Sequence, residues 1–384
     1  MSICLSRRLK VVAVALGVSM LAGCSWFTPK DPRFEPAPLT EYSAAVSASM
    51  LWSVNVGSGR GPGFVPAVVG DAVYAATPNG YVVKASLSNG GLVWRVDAGV
   101  DLSAGAGSDG TTTAVAGPDG TVVAFDDQGK EKWRAQASSE VFVPPVVGAG
   151  VVVVRSSDYR IQAFDAATGD RLWSVQRPGP ALALKTTMQM LIVDGVVISG
   201  LPNGRLIVID AQNGAVQWEG TVSSARGATD LERINDVVGL PQVQGPLLCG
   251  VAYQGRIVCF DVAQGGVPVW EQPFSTTTGV TTDSSQLYGA GTRDAVFAYA
   301  LVDGEMRWRQ EGLRNRKLTA PAVVPQAVAF GDYDGFVHFL SRSDGRLLGR
   351  VQTGGGAIIS PLVATPQGVL VQTGSGNLVL VGVN

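Results

Sequence analysis

Phe164-Asp165-Ala166-Ala167-Thr168-Gly169-Asp170-Arg171-Leu172-Trp173 sets the fold: a strand end, a tight turn and a following strand that carries a tryptophan. The same element returns as Ile209-Asp210 to Gly214 to Trp218, and as Phe260-Asp261 to Gly265 to Trp270. Repeat tryptophans stand at Trp52, Trp94, Trp133, Trp173, Trp218, Trp270 and Trp308, at intervals of 42, 39, 40, 45, 52 and 38 residues. Self-similarity at this period indicates propeller blades. Upstream of the units lie eight hairpin signals: Asn79-Gly80, Asp119-Gly120, Asp158-Tyr159, Asn203-Gly204, Gln254-Gly255, Arg293-Asp294, Asp334-Gly335 and Gly376-Asn377. Asn-Gly and Asp-Gly supply the positive φ angles of two-residue turns, so most of these join adjacent antiparallel strands.

Eight hairpins face seven repeat tryptophans because the two ends complete each other. The last unit stops at Leu378 to Val383 without a fourth strand, and Leu51-Trp52-Ser53-Val54 has no hairpin before it. If the N-terminal strand completes the last blade, the chain is an all-β, eight-bladed propeller of four-stranded antiparallel blades, closed into a ring. Closure removes most exposed strand edges. The one irregular unit is the seventh, where Leu347-Leu348-Gly349-Arg350 replaces the tryptophan strand. Composition agrees: 49 glycines in 384 residues, with 46% hydrophobic and 16% charged residues, exclude disorder and coiled coil. A net charge of −2 offers no polybasic field for nucleic acid.

The N-terminus reads as a targeting segment. Arg7, Arg8 and Lys10 precede an apolar run from Val11 to Ala22, too short to span a bilayer, which leads into Leu21-Ala22-Gly23-Cys24. That tetrapeptide resembles the bacterial lipobox. The resemblance implies a signal peptide over 1–23, lipidation of Cys24, and, with Ser25 following, an outer-membrane anchor facing the periplasm. Residues 24–50, with Pro29, Pro32, Pro36 and Pro38, read as a flexible tether, and 51–384 as the propeller.

Catalytic options are few. His338 is the one histidine and sits in the alternating run Phe336-Val337-His338-Phe339, as a packed strand residue with no assigned role. Gly105, Gly107 and Gly110 fit a G-x-G-x-x-G string, but a strand follows instead of a helix. Asp332-Tyr333-Asp334-Gly335 lacks the remaining ligands of a calcium loop and reads as a hairpin turn. Cys249 and Cys259 flank the Gln254-Gly255 turn; a two-residue turn sets Cys249 opposite Phe260, so two buried thiols are expected, and a disulfide requires a bulge. The repeat resembles that of pyrroloquinoline quinone enzymes. Their calcium and quinone ligands, adjacent cysteine pair and haem motif are not recognisable here, so no cofactor, no metal and no catalytic residue is expected.

Two segments depart from the repeat, and departures on a repeat scaffold are where function concentrates. Pro178-Gly179-Pro180-Ala181-Leu182-Ala183-Leu184-Lys185-Thr186-Thr187 puts leucines on a loop. Arg226-Gly227-Ala228-Thr229-Asp230-Leu231-Glu232-Arg233-Ile234-Asn235-Asp236-Val237 lengthens the next interval. Thr229 or Asp230 is placed to cap a short helix with Leu231 and Ile234 on one face. Apolar residues beside charged ones suit a protein-docking surface. The lipobox, the proline tether, the repeats, the Leu-x-Leu-Lys loop and the Arg-Gly-Ala-Thr-Asp-Leu-Glu-Arg segment together resemble the BamB family of outer-membrane assembly lipoproteins, over the whole chain. That resemblance implies a non-catalytic scaffold that binds the POTRA domains of BamA, works beside other Bam lipoproteins and assists insertion of outer-membrane β-barrels, whose unfolded chains are candidate partners. It carries BamA binding to Leu182, Leu184, Lys185 and Asp236, with Arg226, Asp230, Glu232 and Arg233 as further candidate contacts. Lys185 stands where arginine is common, and Val238 where an aspartate is familiar. The alternative functions are a periplasmic quinone-dependent enzyme and another ligand-binding propeller.

Overall fold

The structure is a computed structural model and describes residues 31–57, 61, 63–186 and 188–383, so the expected signal peptide and Cys24 lie outside the described residues. A short turn at Pro32–Phe34 belongs to a separate unit, residues 1–37, and residues 38–384 form the second. Eight four-stranded antiparallel sheets make up this second unit, numbered below as blades 1 to 8 in chain order. Blade 3 comprises Val146–Gly148, Val151–Arg155, Arg160–Asp165 and Arg171–Gln176, and blade 4 comprises Met190–Val193, Val196–Gly200, Arg205–Asp210 and Val216–Thr221. Blade 5 comprises Val237–Gln244, Leu247–Ala252, Gly255–Asp261 and Val267–Phe274. Blade 8 closes the ring: Ala48–Asn55 pairs antiparallel with Asn377–Val383, completing Val363–Thr365 and Gly368–Gln372. Among the described residues no helix is long and apolar enough to cross a membrane.

The repeated Asp…Gly…Trp element works as a latch between neighbours. In blade 3 the Asp165 carboxylate accepts hydrogen bonds from the backbone N–H of Ala167 and Thr168 at 2.8 and 2.9 Å, which shapes the turn. Gly169 then adopts φ 80°, and a Cβ there would stand 2.7 Å from the Trp133 ring of blade 2. Trp173 reaches onward, its indole Nε1 donating to Ala211 O in the turn of blade 4 at 2.8 Å. Six of the seven repeat indoles make this bond to a main-chain carbonyl of the next blade, at 2.7–3.1 Å. The tryptophans therefore cement blade to blade while alternating Val and Ala of the inner strands fill the core.

The missing tryptophan of the seventh unit has a physical cause. Gly349 faces Phe339 in the register that places Trp173 opposite Ala163 in blade 3. A Cβ on Gly349 would lie 2.9 Å from Val46, and the N–H of Ala45 donates to Leu348 O at 2.9 Å. Arg350 stacks between the rings of Tyr42 and Phe336, at 5.3 and 5.5 Å. The segment before the closing strand takes the indole's place, so residues expected to be tether are propeller, and the closing strand starts at Ala48.

Two polar details refine the sequence reading. His338 is fully buried, its Nε2 2.8 Å from Asp332, which also pairs with the Arg316 guanidinium; burial lowers the imidazole pKa. Asp332 also accepts from the N–H of Asp334 and Phe336, both at 2.9 Å, and so shapes the expected hairpin turn. The expectation of free thiols is corrected: Cys249 faces Cys259 and the two are disulfide-bonded. The pairing is one residue away from that of a turn at Gln254-Gly255, and Gln254 itself takes the left-handed conformation, φ 48°. Replacing both cysteines by serine should lower stability by about 3 kcal/mol for a loop of this length, read as a lower thermal midpoint.

Antiparallel order divides the molecule into two faces. Blade-to-blade connections and the turns between second and third strands share one rim, here the connection face. The turns between first and second and between third and fourth strands share the opposite one, the turn face.

Candidate functional site

Both departures from the repeat lie on the connection face, between blades 3 and 4 and between blades 4 and 5. The first loop is fastened at its base. Tyr159, at φ 66° in the hairpin of blade 3, donates its hydroxyl to Pro180 O at 2.9 Å. Its ring lies where any side chain on Gly179 would collide, at 1.8 Å. At the far end the Thr186 hydroxyl donates to Thr277 O at 2.6 Å.

Between these ties the side chains divide. Leu182 is 43% exposed, at the crest. Leu184 is half-buried and packs into the core clusters of blades 3, 4 and 5, so the expectation of two exposed leucines holds for one. Lys185 is exposed, and its ammonium lies 2.6 Å from Glu140 on the preceding connection.

Asp236 stands elsewhere than a rim contact. It is wholly buried, because Val237 and Val238 after it turn inward into the first strand of blade 5. One carboxylate oxygen accepts the N–H of Leu184 at 2.5 Å, and its backbone carbonyl accepts from Tyr253 at 2.9 Å. Beneath lies Arg155, also buried, which donates to Gly200 O and approaches Met188 Sδ at 3.2 Å. Desolvation pushes the Asp236 carboxyl up to about 6, opposed by the Leu184 N–H and by Arg155, and pushes Arg155 down to about 10. The buried acid therefore ties the second connection to the first loop. Gln189 N–H donating to Gly239 O at 3.1 Å adds a main-chain tie between them.

The second connection holds one helical turn in place of the expected short helix. Thr229 and Glu232 form a capping box: the Glu232 carboxylate accepts from the N–H of Ala228 and Thr229 at 2.8 and 3.0 Å, and the Thr229 hydroxyl accepts from the N–H of Glu232 at 3.3 Å. These backbone donors hold the Glu232 carboxyl below its usual range. Leu231 is 68% exposed, whereas Ile234 is buried, so the two do not share a face. Arg226, Asp230, Glu232 and Arg233 are all exposed around Leu231. Val238 is buried against Cys249 and Val280 and offers the surface nothing acidic.

Among the described residues no three His, Cys, Asp or Glu side chains form a group able to hold a metal ion. A family model described as outer membrane protein assembly factor BamB matches residues 78–310. The outer membrane protein assembly factor BamB of Bordetella pertussis is 57% identical over 378 residues, which cover 98% of each chain. The protein of the same name from Burkholderia pseudomallei is 40% identical, covering 97% of this chain and 98% of its own. The chain belongs to the BamB family.

The crystal structure of BamB from Moraxella catarrhalis superposes with a TM-score of 0.81 at 24% identity, covering 88% of this chain and all of that one. A quinohemoprotein alcohol dehydrogenase from Comamonas testosteroni superposes at 0.68 with 14% identity, over 88% of this chain and 76% of its own, and shares the fold alone. For a BamB chain, the sequence singles out the two irregular connections but not Glu140 and Arg155 behind them. Arg155 leaves one signal: an arginine closing the apolar run Val151 to Val154, where burial demands a partner.

Proposed function

We propose that this chain is a non-catalytic scaffold lipoprotein of the outer-membrane β-barrel assembly machinery. It is anchored through lipidated Cys24, faces the periplasm and docks on the POTRA domains of BamA. Membership of the BamB family supports the machinery. The observation that carries the docking surface is an exposed Leu182 on a loop tied at both ends and pinned from below by Asp236. A preorganised loop loses little conformational freedom on binding, so the burial of its apolar crest is retained as affinity. Leu182 serves as anchor, Leu184 and Asp236 hold the loop in position, and Lys185, Arg226, Asp230, Glu232 and Arg233 form a charged rim that sets orientation. Leu231 extends the apolar surface. Other Bam lipoproteins share the assembly, and client β-barrel chains are handled by the whole.

The test is capture of the BamA periplasmic region by the parent and by Leu182→Ala. Burying one leucine contributes about 1.5–3 kcal/mol, so affinity should fall between about tenfold and hundredfold while the thermal midpoint stays put. The double change Leu182→Ala with Leu184→Ala should weaken capture further and also lower the midpoint, since Leu184 is packed. Undiminished capture by folded Leu182→Ala would remove this loop from the interface.

A further inference from the structure

One repeat tryptophan breaks the latch. Among the described residues the indole N–H of Trp218 of blade 4 finds no acceptor, although its ring is fixed edge-on against Phe260 at 5.0 Å. The cause lies in the turn of blade 5. Where blade 3 runs from Asp165 to Gly169, blade 5 runs from Asp261 through a short 3-10 turn, Val262–Gln264, to two glycines, Gly265 and Gly266. The turn is one residue longer than that of blade 3, and the Trp218 indole reaches no carbonyl in it. It leaves Gly266 so close that a Cβ would lie 2.0 Å from Trp218 Nε1, while Gly265 faces open space.

A cavity of about 420 Å³ has opened beside the indole, on the turn face between blades 4 and 5. Val196, Ile198, Val208 and Leu248 are among its lining residues, and Val243 and Val262 are exposed at 38% and 45%. Asp194 and Gln217 line it as well, beside the indole of Trp218, and largely apolar walls with a few polar groups describe a binding pocket. Past Gly245 the surface continues as a wider depression of about 1000 Å³ between blades 5 and 6, which includes Val269 and Val302, themselves 45% and 72% exposed.

We propose that this cleft binds an extended peptide segment bearing apolar side chains, whose main-chain carbonyl accepts the Trp218 indole N–H. Six equivalent indoles each donate to a peptide carbonyl, so a peptide carbonyl is the group this geometry is short of. The second depression gives the occupant length, which favours an extended chain over a compact small molecule. The site lies on the face opposite the Leu182 loop and does not depend on the docking reading.

The full chain, purified in detergent and labelled with ¹⁵N-tryptophan, would be titrated with the heptapeptide Thr-Val-Thr-Phe-Thr-Leu-Thr, blocked at both ends. The indole resonance assigned to Trp218 through its absence in Trp218→Phe should move downfield, with the six latched indoles unmoved. Trp218→Phe should bind the peptide about threefold to tenfold more weakly, as loss of one hydrogen bond predicts. Val243→Asp and Val262→Asp, both at exposed positions, should weaken it more. The latched indole resonances report that each variant is folded. No movement of the Trp218 resonance up to millimolar peptide, movement with detergent alone, or equal binding by Trp218→Phe and both valine variants would overturn the proposal.

Discussion

Gly214→Ala should lower the stability of the propeller by about 2–5 kcal/mol, and Gly150→Ala by about 1–2 kcal/mol. Both glycines hold left-handed backbone, φ 75° and 77°, where an L side chain costs roughly 1–2 kcal/mol. They differ in what a methyl group meets. At Gly150 nothing lies within 4 Å, while at Gly214 the new Cβ would stand 2.8 and 2.9 Å from Cγ and Cβ of Trp173. Trp173 is buried and its indole is held by Ala211, so it yields only by breaking the latch; overpacking adds roughly 1–3 kcal/mol. The measurement is the thermal midpoint of each variant followed by circular dichroism. Equal midpoints would mean that the turn glycines serve conformation alone and that the tryptophans do not lock blade to blade.

That contrast also explains how much of the fold could be read from sequence. A tryptophan, a glycine four residues earlier and an aspartate before it are large, rare or conformationally special, and each is required by a contact that recurs around the ring. Period and chemistry therefore point the same way, and blade count, strand order and closure are legible. What escaped notice depends on contacts between distant segments. Gly349 looks like a lost tryptophan until Val46 is found in its place, about 300 residues away in sequence. The Cys249–Cys259 pairing turns on one residue of register, which a hairpin signal does not resolve. The helical turn at Thr229 is written in its capping box, yet two apolar residues three apart read alike, and only the packing separates exposed Leu231 from buried Ile234. The two irregular connections are legible because they break the repeat, whereas the residues that hold them up, Tyr159 and Arg155, sit inside ordinary repeat strands and turns.

Asp236 shows the same division between a residue's presence and its role. Asp236→Ala should reduce BamA capture although the side chain has no exposed surface. The change removes the acceptor of the Leu184 N–H, a loss of about 1–3 kcal/mol for a donor left unpaired, and takes a carboxylate away from the surroundings of buried Arg155. Asp236→Asn keeps an acceptor for Leu184 but not the charge, so it should retain more capture than the alanine. The pH dependence separates the charge from the hydrogen bond. With its pKa raised from 3.8 to about 6 in the folded chain, the carboxyl holds its proton more tightly folded than unfolded. Its contribution to stability is full below the unfolded value and is lost as pH rises through about 6, by about 3 kcal/mol at 1.36 kcal/mol per unit. Between pH 4 and pH 7.5 the parent should therefore lose stability relative to Asp236→Asn, which has no proton to release. Parallel stability profiles over that range would show that the buried acid titrates normally. A parent that weakens relative to the asparagine variant would identify Asp236 as a buried carboxyl whose charge costs stability, and whose influence on a partner runs through its hydrogen bond to Leu184 and the Leu182 carried on the same loop.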